Sequence, residues 1–207
     1  KEFAEASLSF QDGVALNHLD HELTSRLEAA YQLAKGESLL ASRDFGGAVN
    51  SFVGGEALQH NDGDFTCRLQ AAIKLGKGEQ LLEAQDIATS IVVLEEGCKI
   101  AHLDGELTSR LQAALKLAES EACRMRRAFT EAVACLEAGI ALEHRDDDLR
   151  ARLMAALCLV QGEEQLVSKE FAEASLSFQD GVALNHLDHE LTSRLEAAYQ
   201  LAKGESL

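Results

Sequence analysis

Apolar and small residues recur along this chain at intervals of three and four, the spacing that places them on one face of an α-helix. The first 42 residues contain two such stretches in succession. The first runs from about Glu2 to Asn17 and has apolar or small residues at positions 3, 6, 10, 13, 14 and 16. The second runs from about Asp20 to Ser42 and carries Leu23, Leu27, Ala30, Leu33 and Ala34. The pattern predicts a short helix followed by a long helix.

This pair of predicted helices recurs five times. Residues 1–39 reappear without a change as residues 169–207, at an offset of 168, which is four times 42. A shift of 42 aligns everything between them without a gap. We number the columns of this alignment by the residues of the first repeat. The five repeats are residues 1–42, 43–84, 85–126, 127–168 and 169–207.

Nine columns hold one residue type in all five repeats, which indicates that each repeat solves the same packing problem. In the first repeat these residues are Gly13, His18, Asp20, Arg26, Leu27, Ala29, Ala30, Leu33 and Glu37. The glycine costs helix stability, so its recurrence predicts a neighbouring helix at close approach. The aspartate is predicted to cap the long helix, where its side chain can accept from free backbone N–H groups. The capping residues are Asp20, Asp62, Asp104, Asp146 and Asp188.

A single helical hairpin cannot bury its own apolar faces, whereas stacked hairpins can. Proline, the strongest helix breaker, is absent. No apolar run approaches the ~18 residues that a membrane-spanning helix requires. The sequence therefore predicts an all-α fold, a solenoid of five helix-turn-helix repeats that forms one continuous stack over residues 1–207.

The junction from one long helix into the next short helix resembles the tetratricopeptide repeat. The matching residues are Gly36, Leu39, Phe45, Ala48, Phe52 and Gly55, and the pattern returns in the later repeats. The family's standard unit has 34 residues, so this chain resembles a 42-residue variant with a longer second helix. The resemblance implies a right-handed superhelix whose concave groove holds an extended peptide or a partner helix.

Two charged columns are the candidate partner-binding residues. Columns 26, 30, 33 and 37 share one helix stripe, because eleven residues are close to three turns. If the stripe lines the groove, its acids suit a ligand rich in Lys or Arg. The alternatives are structural: the glutamate bonds to an Arg or to the next repeat's backbone, and the arginine pairs with the acid four residues before it. The candidates are Glu37, Glu79, Glu121, Glu163 and Glu205, with Arg26, Arg68, Arg110, Arg152 and Arg194.

Composition narrows the function classes. A net charge of −16 argues against a nucleic-acid partner. Five scattered cysteines without a CxxC pair indicate reduced thiols and an intracellular, cytoplasmic protein. Neighbouring histidines of the His18 column would lie about 8–10 Å apart, too far to share a metal, so we expect loop-closing hydrogen bonds from them. No catalytic motif is present, and we predict no enzyme activity, no cofactor and no metal.

Two functions remain open. The first is a protein-interaction scaffold that binds a peptide or helical segment, with a basic ligand preferred. The second is a structural module that self-associates end to end. The first and fifth repeats share one sequence and show no polar cap, so we expect exposed end faces to attract each other head to tail.

Overall fold

The computed structural model describes residues 21–58, 63–101, 104–184 and 189–205, and every regular element in this part of the chain is helical. The helices are α1 (His21–Ala41), α2 (Phe45–Ala57), α3 (Gly63–Glu83), α4 (Ile87–Ile100), α5 (Gly105–Met125), α6 (Phe129–Ile140), α7 (Asp147–Val167), α8 (Phe171–Leu184) and α9 (His189–Glu205). The all-α prediction is confirmed. The predicted short helix of the first repeat lies outside the described residues.

Short and long helices alternate as the hydrophobic pattern predicts. The short helices have 12–14 residues, and the long helices α1, α3, α5 and α7 have 21. The predicted aspartate caps are confirmed at Asp104 and Asp146, whose Oδ1 atoms accept from the N–H groups of Leu107 and Leu149 at 3.0 Å. The other three predicted caps, at positions 20, 62 and 188, lie outside the described residues.

Helices pack against their neighbours in chain order. The chain divides into two compact units, residues 1–111 and 112–207, and the division falls within α5. In the first unit α1 packs on α2, α2 on α3, and α3 on α4; in the second, α6 packs on α7, α7 on α8, and α8 on α9. This sequential packing is the order expected of stacked hairpins. The single continuous stack over residues 1–207 stays a prediction.

Each of the long helices α1, α3, α5 and α7 is followed by a residue in the left-handed conformation that is not glycine. Arg43, Gln85, Arg127 and Lys169 share one column of the repeat and have φ values between 59° and 62°. At the first of these junctions the Arg43 N–H donates to the Leu40 carbonyl at 3.0 Å, and the Asp44 N–H donates to the Leu39 carbonyl at 2.9 Å. This is the Schellman arrangement, which satisfies carbonyls that the helix leaves open. The turn passes directly into the next short helix, where Asp44 caps α2 through the Gly47 N–H.

Close contact between long and short helices depends on glycines of column 36. A Cβ atom added at Gly36 or at Gly162 would overlap the ring of Phe52 or Phe178, respectively, in the next repeat's short helix. One added at Gly78 would overlap the side chain of Leu94. The missing Cβ therefore provides the space into which the column-10 side chain of the following repeat packs.

Glycines of column 13 allow the two helices within a repeat to approach closely. A Cβ atom on Gly97 would lie 2.7 Å from Leu111, and one on Gly181 would lie 2.9 Å from Leu195. Both contacted leucines belong to the invariant column 27. The predicted close approach is confirmed here and at Gly139, while the glycine of the first repeat lies outside the described residues.

Substitution of Lys169 by glycine should stabilise the protein. Its φ of 62° penalises a residue with a Cβ atom, whereas glycine adopts this conformation without strain. We expect Lys169→Gly to raise the free energy of unfolding by about 0.5–1 kcal/mol, measured by urea denaturation. Lys169→Ala, which keeps the Cβ atom, is the control and should change it by less than about 0.3 kcal/mol. A loss of stability in the glycine variant would contradict the left-handed assignment.

A methyl group at Gly162 should destabilise the packing of α7 on α8. Because the added Cβ overlaps the Phe178 ring, we expect Gly162→Ala to cost about 1–3 kcal/mol in urea denaturation. Gly105→Ala makes the same chemical change where no atom lies within 4 Å of the added Cβ, and it should cost less than about 0.5 kcal/mol. Equal effects of the two substitutions would show that close packing at column 36 is not what requires glycine.

Candidate functional site

The leucines between the two candidate charged columns lie in the core of the first four repeats. Leu33, Leu75, Leu117 and Leu159 are each at most 9% exposed. Packed helices cover these leucines, so their side chains are not open to a ligand in these repeats. The charged residues on either side border a closed apolar layer.

In the first unit, Arg68 connects acids from the repeats before and after its own. Its Nη2 atom lies 3.4 Å from Glu37 Oε1, and its Nε atom lies 3.1 Å from Asp104 Oδ2. Asp104 also caps α5, so one carboxylate serves both a helix terminus and an ion pair. Burial raises the pKa of Glu37 above its ordinary value, although the charges of Arg68 and Arg110 oppose the shift. The alternative prediction, that the glutamate bonds to an arginine, is confirmed at this position.

In the second unit, two arginines and two glutamates form a connected cluster. Arg124 holds Glu121 through both carboxylate oxygens, with Nη2 at 2.6 Å and Nε at 2.9 Å. Its Nη1 atom donates to Glu163 at 2.8 Å, and Arg194 donates to Glu121 at 2.7 Å. All four side chains are less than one-third exposed. The charges therefore satisfy one another inside the protein.

The two glutamates of this cluster have opposite pKa shifts. Burial favours the neutral form of Glu121, but hydrogen bonds and charges from Arg124 and Arg194 outweigh it and lower the pKa. Burial raises the pKa of Glu163, and the hydrogen bond that opposes this shift comes from Arg124 alone. The number of guanidinium groups that hold each carboxylate accounts for the difference.

Arg124 was not among the residues singled out from the sequence. It occupies column 40, where the other described repeats have Leu40, Leu82 and Leu166. A single charged residue in a column of leucines was the available signal. Its position at the end of α5 places the guanidinium between carboxylates of adjacent repeats, where a leucine would only pack.

The remaining candidates differ in their access to solvent. Glu79 is 4% exposed and Arg152 is 6% exposed, so a ligand cannot reach either without a rearrangement. Arg110 is half-buried, whereas Arg26 and Glu205 are exposed. A role for these two columns in partner binding stays a prediction, as does the pairing of each arginine with the acid four residues before it.

A different surface of acidic and apolar residues lies on the short helices. Columns 8, 11 and 12 lie on one helix face and are exposed in all four described short helices; we call them the outer face. In these helices the outer face carries four acids, three large apolar side chains and no lysine or arginine. Its residues are Asn50, Val53 and Gly54 in α2, Val92, Glu95 and Glu96 in α4, Ala134, Glu137 and Ala138 in α6, and Leu176, Gln179 and Asp180 in α8.

Among the ion pairs of the described residues, one acid of the outer face has a cationic partner. Lys74 Nζ lies 2.6 Å from Glu96 Oε2, and this hydrogen bond lowers the pKa of Glu96. The large apolar members are open to solvent, with Val92 53% and Leu176 62% exposed. Sequence reasoning missed this surface because column 8 varies between polar and apolar residues, so its exposure is visible only in the packed structure.

The other residues singled out from the sequence have structural surroundings. His144, the one described member of the His18 column, is buried, and its Nδ1 atom accepts from the Asp146 N–H at 3.2 Å. The predicted loop-closing bond is confirmed there. Burial raises the pKa values of the Cys135 and Cys158 thiols, which disfavours the reactive thiolate. Among the described residues, no three His, Cys, Asp or Glu side chains form a group that could hold a metal ion.

Comparisons with known proteins return no match to a family model, a curated protein or a solved structure. Membership of the tetratricopeptide-repeat family therefore stays a prediction from the junction residues. None of the described helices combines the length and apolar character needed to cross a membrane.

Replacing Glu121 and Glu163 by glutamine, one at a time, should separate the roles of these two residues. At pH 7 we expect Glu121→Gln to cost about 1–3 kcal/mol of unfolding free energy, because two arginines lose an ionised partner. Glu163→Gln is the matched control and should cost less, since burial already favours the neutral form of that side chain. Urea denaturation of both variants gives the comparison.

The effect of pH on the same variants has a defined sign. The folded-state pKa of Glu121 lies below 4.5, so the stability from its ionised form is complete above about pH 4.5. That stability is lost as the pH falls through the lowered pKa, and the difference between wild type and Glu121→Gln should shrink with it. A difference that stays constant from pH 7 to pH 3 would contradict the assignment.

Proposed function

We propose that this chain is a non-enzymatic protein-binding scaffold, a right-handed solenoid of 42-residue repeats that recognises a basic segment of another protein. The segment would combine Lys or Arg with apolar side chains and would bind to the outer face of the short helices within one unit. Left-handed residues in one column and glycine contacts in another support the 42-residue structural unit.

The observation that carries this proposal is the exposed outer face, with its acids, its apolar residues and its lack of lysine and arginine in the described helices. Buried apolar contact supplies most binding energy, whereas charge complementarity supplies specificity and faster association. Val53, Val92 and Leu176 are 45–62% exposed and would lose water on binding. Neighbouring acids such as Glu95 and Asp180 would select a basic ligand over an acidic one.

Glutamates of column 37 are less suited to this task than the acids of the outer face. Glu37, Glu121 and Glu163 are already hydrogen-bonded to arginines within the protein. A basic ligand would have to displace those arginines, which would lose the ion pairs that the fold already makes. Binding to outer-face acids such as Glu137 and Asp180 requires no such exchange.

Partners of other classes fit the outer face poorly. Nucleic acids and anionic membrane surfaces carry negative charge, and the chain carries a net charge of −16. Their approach to this acidic surface would be repelled. A protein or peptide with positive charge is the class that this surface attracts.

Peptide binding tests the proposal directly. The probe is a fluorescein-labelled helical peptide of leucine and lysine, and its glutamate counterpart is the control ligand. Glu137→Lys/Asp180→Lys reverses two outer-face charges in the second unit, and we expect it to weaken binding of the lysine peptide at least ~tenfold in fluorescence anisotropy. The matched variant Glu164→Lys/Glu196→Lys changes net charge equally at exposed positions of the long helices. It should weaken binding by less than ~threefold.

Two results would refute the proposal. If both charge-reversed variants lose affinity equally, the peptide responds to net charge and not to the outer face. If the glutamate peptide binds as well as the lysine peptide, charge does not select the ligand. Circular dichroism of both variants must show unchanged helix content for the comparison to count.

A further inference from the structure

Cys123 and Cys135 belong to two columns that face each other at a repeat junction. Cys123 lies in column 39, in the last turn of α5, and Cys135 lies in column 9 of the next repeat, in α6. At the following junction the same two columns hold Gln165 and Ser177, and the Ser177 hydroxyl donates to Gln165 Oε1 at 2.8 Å. Side chains of these two columns therefore meet across a junction.

The turn between the two helices has the same hydrogen bonds at both junctions. The Ala128 N–H donates to the Cys123 carbonyl at 2.9 Å, and the Glu170 N–H donates to the Gln165 carbonyl at 2.9 Å. The left-handed residues of the two turns have φ values of 59° and 62°. Because the backbone is alike, the contact between columns 39 and 9 is expected at the junction that holds the two cysteines.

The contacts of the two thiols show that each one reaches the opposite helix. Cys123 Sγ lies 3.9 Å from Glu131 Oε2 in α6, and Cys135 Sγ lies 3.9 Å from Glu119 Oε2 in α5. The two thiols also hydrogen-bond to each other, and this contact is among the causes that raise the pKa of Cys135. Both sulfur atoms therefore lie between α5 and α6, within reach of one another.

Among the described junctions, this one alone has cysteine in these two columns. The other junctions have Leu39 opposite Ser51, Leu81 opposite Val93, and Gln165 opposite Ser177. Those pairs supply an apolar or a polar contact between the helices. Two thiols at the same place add a chemistry that the other pairs lack, since they are able to form a covalent bond.

We propose that Cys123 and Cys135 are a redox-active thiol pair, which hydrogen peroxide converts into a disulfide that links α5 to α6. One thiol attacks the O–O bond of the peroxide, becomes a sulfenic acid and releases water. The second thiol attacks that sulfur, and a second water leaves as the S–S bond forms. Two electrons pass from the thiols to the peroxide. A thiol reductant, itself oxidised to a disulfide, reverses the change.

The surroundings of the two sulfur atoms favour Cys123 for the first step. The Arg126 guanidinium donates to Cys123 Sγ at 3.3 Å and lies 3.9 Å from Glu131, whose charge it offsets. A cation at this distance stabilises a thiolate. Burial and the charge of Glu119 raise the pKa of Cys135, which keeps this thiol protonated. Cys135 therefore suits the second step, where proximity to the sulfenic acid assists its attack.

The disulfide would join the last turn of α5 to α6 across the turn at residues 126–128. A disulfide restricts the unfolded chain, so the oxidised protein should resist unfolding of this helix pair more than the reduced protein does. The thiol pair contains no residue of the outer face. It is therefore independent of the proposed peptide binding, and either proposal can fail without the other.

The first test maps disulfides by mass spectrometry after the reduced full chain is treated with hydrogen peroxide, alkylated and digested with trypsin. Each of the five cysteines lies in its own tryptic peptide. We expect a link between residues 117–124 and residues 128–145 within single molecules. Cys123→Ser or Cys135→Ser should abolish it, whereas the control Cys158→Ser should leave it unchanged. Absence of this link, or equal yields of other links, would overturn the proposal.

Nearness along the chain must be separated from contact in the folded protein, because Cys123 and Cys135 are also the two cysteines nearest in sequence. The same mapping on urea-unfolded protein measures that background. We expect the yield of this link relative to all others to be at least ~tenfold higher in the folded protein. An equal share in the two states would show that the fold does not bring the thiols together.

The second test compares the urea midpoints of the oxidised and reduced protein. Oxidation should raise the midpoint, and dithiothreitol should return it to the starting value. Cys135→Ser treated in the same way should show neither change. A linked protein whose midpoint is unchanged or lower would contradict the stabilising role of the bond.

Discussion

The fold depends on the contact between a glycine of the long helices α1, α3 and α7 and a bulky side chain of the short helix that follows each of them. Phe52 and Phe178 occupy space that any Cβ atom at Gly36 or Gly162 would fill. Because the helices approach so closely there, the alanines and leucines one and two turns earlier, in columns 29 and 33, are also covered. This face of the long helix is therefore part of the core, and the charged columns 26 and 37 lie at its border.

The sequence was sufficient to predict the helices and their internal contacts. Apolar spacing placed the first long helix at about residues 20–42, and α1 spans His21–Ala41. Recurring glycines predicted close approach, which the contact of Gly97 with Leu111 shows. The left-handed residues were not predictable in the same way, because Arg43 and Lys169 give no glycine signal at the helix end. Hydrogen bonds to carbonyls of the preceding turn stabilise that conformation.

The partners of charged side chains were the hardest feature to predict from the sequence. Pairs at i,i+4 can be read along one helix, but Arg68 contacts acids 31 residues before it and 36 residues after it. Similarly, Arg194 reaches Glu121, which lies 73 residues away in sequence. Such contacts depend on which helices become neighbours and on how far a long side chain extends. Internal pairing of this kind uses the acids at the border of the core and leaves outer-face acids such as Glu95, Glu137 and Asp180 exposed.

Side-chain volume at the repeat junctions also limits how the gene can be rearranged. A phenylalanine in column 10 fits above a glycine, but the third repeat has Ser120 in column 36 and is followed by Leu136. A duplicated block whose short helix carries Phe10 or Phe178 can follow the fourth repeat, whose column-36 residue is Gly162, and keep the contact between the ring and this glycine. The same block inserted after the third repeat would press a ring against the serine Cβ. Recombination within such an array is therefore not free to join any repeat to any other, and the fifth repeat follows a repeat that has glycine in column 36.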